Sequence, residues 1–197
     1  MKKIVIGIVA VVALVALISG CGYNGLVKMD EEVKNKWSNV EAQYQRRSDL
    51  IPNLVSTVKG AAKFEQSTLT AVIEARASAS KITIDPDKLN AENIEKYQQA
   101  QGQITQALGK LMVLTENYPE LKATQQFSDL SAQLEGTENR VAQARRSYNE
   151  TVTDFNRAVR RFPRSIVAGI FGFEKRTLFE AAAGADVAPT VDLNPGG

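Results

Sequence analysis

Phe127, Leu134, Val141, Tyr148, Phe155 and Phe162 recur every seven residues, each of the first five followed three or four positions later by Leu130, Thr137, Ala144, Val152 and Val159. A seven-residue apolar period held this long fits an α-helix packed in a left-handed bundle, and it fits no strand, whose side chains alternate with period two. The ladder predicts one helix over about residues 121–162, stopped by Pro163, which has no amide proton to continue it. A short apolar helix over residues 165–173 is expected to follow.

Two more segments have helical spacing. The first, about residues 25–80, carries Val33, Trp37, Val40 and Tyr44, then Ile51, Leu54 and Val58, then Ala62, Leu69, Val72 and Ile73 on one stripe. Pro52 lies within it, so the helix either kinks near residues 47–52 or restarts with Ser48 or Asp49 as its cap; the kink is the preferred expectation. Asp85-Pro86-Asp87 is turn chemistry and marks residues 81–89 as a loop. The second segment places Ile94, Tyr97, Gln101, Ile104, Leu108, Leu111, Thr115 and Tyr118 at three-four spacing and ends at Asn117-Tyr118-Pro119. No stretch alternates long enough for a sheet. The expected fold is all-α, an elongated antiparallel bundle of three to four long helices over residues 26–180, shaped as a rod without a deep cleft. Residues 181–197 offer little apolar surface to bury and are expected to be a disordered tail.

The amino terminus is of another kind. Lys2 and Lys3 precede an unbroken apolar run at residues 4–18, followed by Ser19, Gly20 and Cys21, the chain's one cysteine. Fifteen residues at about 1.5 Å each cover about 22 Å, short of a hydrocarbon core of about 30 Å, so a secretory signal over residues 1–20 is favoured over an uncleaved anchor helix. Ile18-Ser19-Gly20-Cys21 resembles the bacterial lipobox. It implies a lipidated, palmitate-type Cys21 as membrane anchor, with residues 21–25 as a short linker, because two or three acyl chains hold firmly where one does not. Gly22 after the cysteine, in place of Asp, mildly favours an outer membrane if the source is Gram-negative. Loss of Lys2 and Lys3 would leave 22 basic and 22 acidic residues, so the whole-chain charge of +2 gives no reason to expect nucleic acid. Gly20-Cys21-Gly22-Tyr23-Asn24-Gly25 matches a dinucleotide fingerprint in letters only, since it follows no strand.

The chain has no histidine. That removes Ser–His and Cys–His nucleophile pairs and His-based zinc sites, and one cysteine allows neither an internal disulfide nor a thiolate cluster. No cofactor and no metal are expected. Asp85, Asp87, Asn90 and Glu92 lack the glycine and terminal spacing of a calcium loop and read as a capped turn. Three polar features stand out. Arg46, Arg47 and Asp49 interrupt the first stripe beside Pro52, and Glu135, Glu138, Arg140 and Arg145 fall near the seam of the seven-residue ladder. They are expected to pair across the bundle and fix its register, or else to form a notch for a partner. Gly136, costly in mid-helix, suggests a close backbone neighbour. Arg160, Arg161 and Arg164 with Phe171 and Phe173 either lie on anionic lipid or a partner, or the rings fold back on the bundle end and leave the charges solvated.

Several strings occur in a characteristic order: Tyr23-Asn24 and Leu26-Val27; Arg46-Arg47-Ser48-Asp49-Leu50-Ile51-Pro52-Asn53-Leu54-Val55; Glu116-Asn117-Tyr118-Pro119-Glu120-Leu121; Leu134-Glu135-Gly136-Thr137-Glu138-Asn139-Arg140; Tyr148-Asn149-Glu150; Phe162-Pro163; and Phe171-Gly172-Phe173. Over residues 23–179 the chain resembles the LemA family of bacterial membrane-anchored proteins. The resemblance implies an extended helical bundle facing away from the cytoplasm and implies no reaction; the lipobox is a departure from many relatives, and the tail after Glu180 has no recognisable match. The functional expectation is a non-enzymatic scaffold or adaptor for another envelope or membrane protein. The alternatives are a carboxylate-based hydrolase or a regulator of a membrane enzyme, and a lipid- or cell-wall-binding protein.

Overall fold

The computed structural model describes the backbone of residues 2–60 and 65–180, and the side chains of residue 2 and of residues 22–60 and 65–180. All regular structure among the described residues is helical: α1 (Lys2–Lys59), α2 (Gln66–Ala79), α3 (Ala91–Thr115), α4 (Pro119–Lys122), α5 (Gln125–Arg160) and α6 (Arg164–Phe171). The expected disorder of residues 181–197 and the Cys21 side chain lie outside the described residues.

α1 and α5 pack antiparallel along the seam that the ladder foretells. Leu26 of α1 meets Ala158 of α5 at one end of the pair, and farther along α1, Arg47 meets Glu138. α3 runs with α1, placing Tyr97 beside Trp37 and Tyr44, and α2 runs back against α3. Phe127, Leu134, Val141, Tyr148 and Phe155 are all buried, whereas Phe162 falls beyond the helix and is 76% exposed. α5 ends at Arg160, two residues short of the last ladder position, so the period continues where the helix does not.

The first segment departs furthest from expectation. Residues 22–25, expected as a linker, are helical, and α1 continues through Pro52 without restarting. Proline removes the amide that would bond the carbonyl four residues back, here Ser48. That carbonyl instead accepts a bond from Arg76 Nε of α2 at 2.9 Å. The helix then stops at Lys59, and α2 turns back. Leu69, Val72, Ala75 and Ala79 form its buried face, so Ile73, placed on the common stripe by its spacing, is half exposed. One continuous stripe over residues 25–80 is therefore two helices with two different faces.

The remaining helices begin and end on local chemistry. Asn90 caps α3 by accepting from the Asn93 amide at 2.9 Å, and Thr124 caps α5 through Phe127. Gly172 closes α6 at φ 74°, with the Phe173 amide reaching back to Ala168 O at 2.9 Å, a left-handed cap that glycine adopts without strain. Gly136 has no such reason to be glycine. Among the described residues a Cβ there would meet only the Arg140 guanidinium at 3.7 Å, ordinary contact, and none of them supplies the close backbone neighbour expected from sequence. Gly136→Ala is expected to stabilise the protein by about 0.5–1 kcal/mol, read as a raised urea midpoint with unchanged slope.

Candidate functional site

The core is interrupted by one polar layer. On one side lie Tyr44, Tyr97 and Val141, and on the other Ile51, Ile104 and Leu134. Between them is Arg47, 1% exposed. Its Nη1 donates to Glu138 Oε1 at 2.8 Å and Thr105 Oγ1 at 2.9 Å, and Nη2 donates to Gln101 Oε1 at 2.6 Å and Gln101 O at 3.1 Å. The guanidinium also lies 5.0 Å from the Tyr44 ring centroid. One side chain of α1 thus ties α3 and α5 together, as the planar fork of an arginine can.

The layer forms part of an open groove of about 1160 Å³ between α3 and α5. Gln98, Gln99, Gln103 and Gln106 line it with Arg145 and Glu180. A rod without a cleft was expected. The long arginine bridges helices that do not close on each other, and the glutamines of α3 leave their shared wall polar. A smaller depression of about 290 Å³ lies nearby, lined by Glu41, Gln45, Ser48, Thr83 and Tyr97 among others. Burial pushes the Glu41 carboxyl above its ordinary value of 4.5. Burial likewise raises the phenols of Tyr44, Tyr97 and Tyr148.

One wall of the groove is an extended strap, residues 173–180, running antiparallel along α5. Asn156 donates to Arg176 O at 2.8 Å and accepts from its amide at 2.9 Å. Asn149 does the same for Phe179, at 3.0 and 2.9 Å. Seven helical residues span about 10.5 Å and three extended residues about 10 Å, so the two asparagines meet the strap in register. Tyr148 Oη donates to Thr177 O at 3.0 Å. Phe179 is buried, stacked on Trp37 at 5.8 Å and edge-on to Tyr148 at 5.3 Å, with Arg145 over its other face at 4.9 Å. Arg176 docks on buried Asp30 at 2.8 Å. Lys34 bridges Asp30 and Asp87, which holds the Lys34 ammonium above its usual range and the Asp87 carboxyl below its own.

Of the cluster named from sequence, the structure brings together Arg47 and Glu138. Arg46 and Glu135 are exposed, Asp49 accepts from Gln45 one turn away, and Arg140 bonds Thr137 on its own helix. Arg145 holds the strap through Glu180 O at 2.7 Å. At the other end, Arg160, Arg161, Arg164 and Phe171 are exposed, and Phe173 is half-buried against the core. Sequence reasoning missed Glu41, the Asp30–Lys34–Asp87–Arg176 network and the strap. Asn149 and Asn156, one heptad apart beside the ladder, were the available signal.

Asp85 accepts from the Asp87 amide at 3.0 Å, and Glu92 pairs with Lys96, so the acidic loop is engaged with itself and its neighbours. Among the described residues no group of three His, Cys, Asp or Glu side chains is placed to hold a metal ion. Among residues 22–60 and 65–180, whose side chains are described, no helical stretch is long and apolar enough to cross a membrane.

A sequence model of the LemA family matches residues 36–193. The match continues past Glu180, into the tail where no resemblance was recognised. The chain is 27% identical to magnetosome protein MamQ 2 of Paramagnetospirillum magneticum, over 92% of this chain and 73% of that protein. It is 26% identical to protein LemA of Metamycoplasma hominis, over 81% of this chain and 69% of that protein.

Proposed function

The chain belongs to the LemA family, and we propose that it serves as a membrane-anchored, non-enzymatic scaffold or adaptor for other envelope proteins, with its bundle facing away from the cytoplasm. The observation carrying this reading is the continuity of α1. The apolar run at residues 4–18 and the bundle residues up to Lys59 belong to one helix, so whatever holds the run also holds the bundle, with no hinge between them. The Arg47–Glu138 pair sets the register of that bundle. Neither relative's name states a reaction.

Lipidation of Cys21 is the finer part of the proposal. Cleavage before Cys21 would leave residues 21–59 as the first helix of the bundle, held by acyl chains on Cys21, while an uncleaved helix would hold the same bundle by the run itself. Metabolic labelling with a palmitate analogue separates the two: label lost in Cys21→Ala supports the lipid anchor, and label retained in it overturns that anchor. The scaffold reading predicts a specific envelope protein in pull-downs from crosslinked membranes, and recovery of none counts against it.

A hydrolase reading has Glu41 in its favour, a carboxyl raised by burial in a lined depression. No second carboxylate lines that depression, and the paired-acid chemistry of glycoside hydrolysis needs two. A structural Glu41 has a definite signature. Its folded pKa is raised, so the folded state holds the proton more tightly than the unfolded chain, and ionisation costs stability as pH rises past 4.5. Glu41→Gln is therefore expected to raise the melting temperature at pH 7, with the gain shrinking towards zero in acid below that value. A catalytic Glu41 would instead show as hydrolysis by the parent that Glu41→Gln abolishes.

A further inference from the structure

α6 is apolar on every side after its first two residues, through Ile166, Val167, Ala168, Gly169, Ile170 and Phe171. A helix of that kind belongs in an interior, yet α6 covers only one face. Val167 and Ala168 pack on Leu26 and Ala158. The opposite face presents Ile166 and Ile170, one turn apart and 55% and 69% exposed. Phe162, Phe171 and Tyr23 extend the apolar surface, the last two with ring centroids 4.7 Å apart. Arg160, Arg161 and Arg164 surround the start of the helix, exposed and, among the described residues, in no ion pair.

The position of this surface is fixed by α1. α6 lies against Gly22 and Gly25, where a Cβ would come within 3.1 Å of Val167 and 3.4 Å of Arg164. Gly22 is four residues beyond Ile18, the end of the apolar run, which is about 6 Å of helix rise. A bilayer that holds the run, or that holds acyl chains on Cys21 once the run is cleaved, therefore places α6 at the level of its headgroups, where an apolar face can enter the acyl boundary and arginines can meet phosphates.

We propose that α6 is an interfacial foot, with Ile166, Ile170 and Phe171 embedded in the surface of the membrane that holds α1 and with Arg160, Arg161 and Arg164 on anionic lipid headgroups. This rests on the membrane-anchored reading above. It commits to lipid as the occupant because uncompensated cations and apolar side chains share one level beside the run, a combination suited to an anionic bilayer surface and poorly suited to a second copy carrying the same cations.

The test uses the full chain reconstituted into phosphatidylcholine vesicles with or without phosphatidylglycerol, with the photocrosslinker p-benzoylphenylalanine at position 170 or, as control, at exposed position 113 of α3. Flotation reports the anchor, and mass spectrometry of the adducts reports the foot. The expected result is lipid adducts at 170 and not at 113, several-fold more abundant with phosphatidylglycerol and reduced by Arg160→Gln/Arg161→Gln/Arg164→Gln in a chain whose helical melt is unchanged. A chain that floats yet gives no more lipid adduct at 170 than at 113 overturns the foot and leaves the anchor standing. Equal yields in the two vesicle types, or adducts mainly with a second copy of the chain, also overturn the proposal. A chain that does not float overturns both readings.

Discussion

Glu138→Met is expected to destabilise the bundle by about 3 kcal/mol, whereas Arg47→Met is expected to leave it within about 1 kcal/mol of the parent. The two residues form one ion pair, and the asymmetry comes from their surroundings. The Glu138 side chain is 42% exposed, so water can serve it once Arg47 is gone. Arg47 is enclosed, and without Glu138 its charge would face only the neutral oxygens of Gln101 and Thr105. The double Met variant should regain most of the loss, because a buried pair replaced by apolar side chains leaves no charge behind. Urea titrations of the four proteins give these differences directly. For a chain of this size a loss of about 3 kcal/mol lowers the melting temperature by about 6–12 °C. Comparable losses in both single variants would contradict the asymmetry. The proposed register role adds a second readout: Arg47→Met should hold its stability but lose uniqueness, seen as broadened amide resonances around residues 101–108 and 134–141.

Phe179→Ala is expected to cost about 3–4 kcal/mol and to release the strap. The ring fills a site closed by Trp37, Tyr148 and Arg145, and it is the one buried side chain of residues 177–180, which lie beyond the Arg176–Asp30 pair and are otherwise held by hydrogen bonds. Losing it leaves the end of the strap to hydrogen bonds from Tyr148, Asn149 and Arg145, and a few such bonds do not offset the conformational entropy of an extended chain. Hydrogen exchange should show protection lost at residues 176–180 together with α5 around Tyr148, while α2 stays protected. Exchange unchanged in the strap would mean that its hydrogen bonds and the Arg176–Asp30 pair hold it without the ring.

Most of the helical architecture was legible because it rests on periodicity. The ladder of α5 and the three-four stripe of α3 are repeated signals, and burial follows them closely. Single events were not legible. The end of α1 at Lys59 leaves the stripe's spacing intact, so Ile73 read as core. Pro52 read as a kink because its remedy, Arg76, lies on another helix. Six charged residues besides Arg47 carried the same pattern weight, and tertiary packing selected Glu138. The strap was hidden because its bonds use backbone atoms, which every sequence has, and its partners are two asparagines that resemble ordinary surface residues.

The uninterrupted first helix also sets a distance. From Gly22 to Lys59 it rises about 56 Å at about 1.5 Å per residue, and antiparallel α5 stiffens it along much of that length. If the apolar run marks the bilayer, the far tip is a platform at constant height, and a protein gripping that tip would be kept at a set separation from the lipid. Inserting seven residues into α1 at one level and seven into α5 opposite would preserve the seam and move the platform outward by about 10 Å.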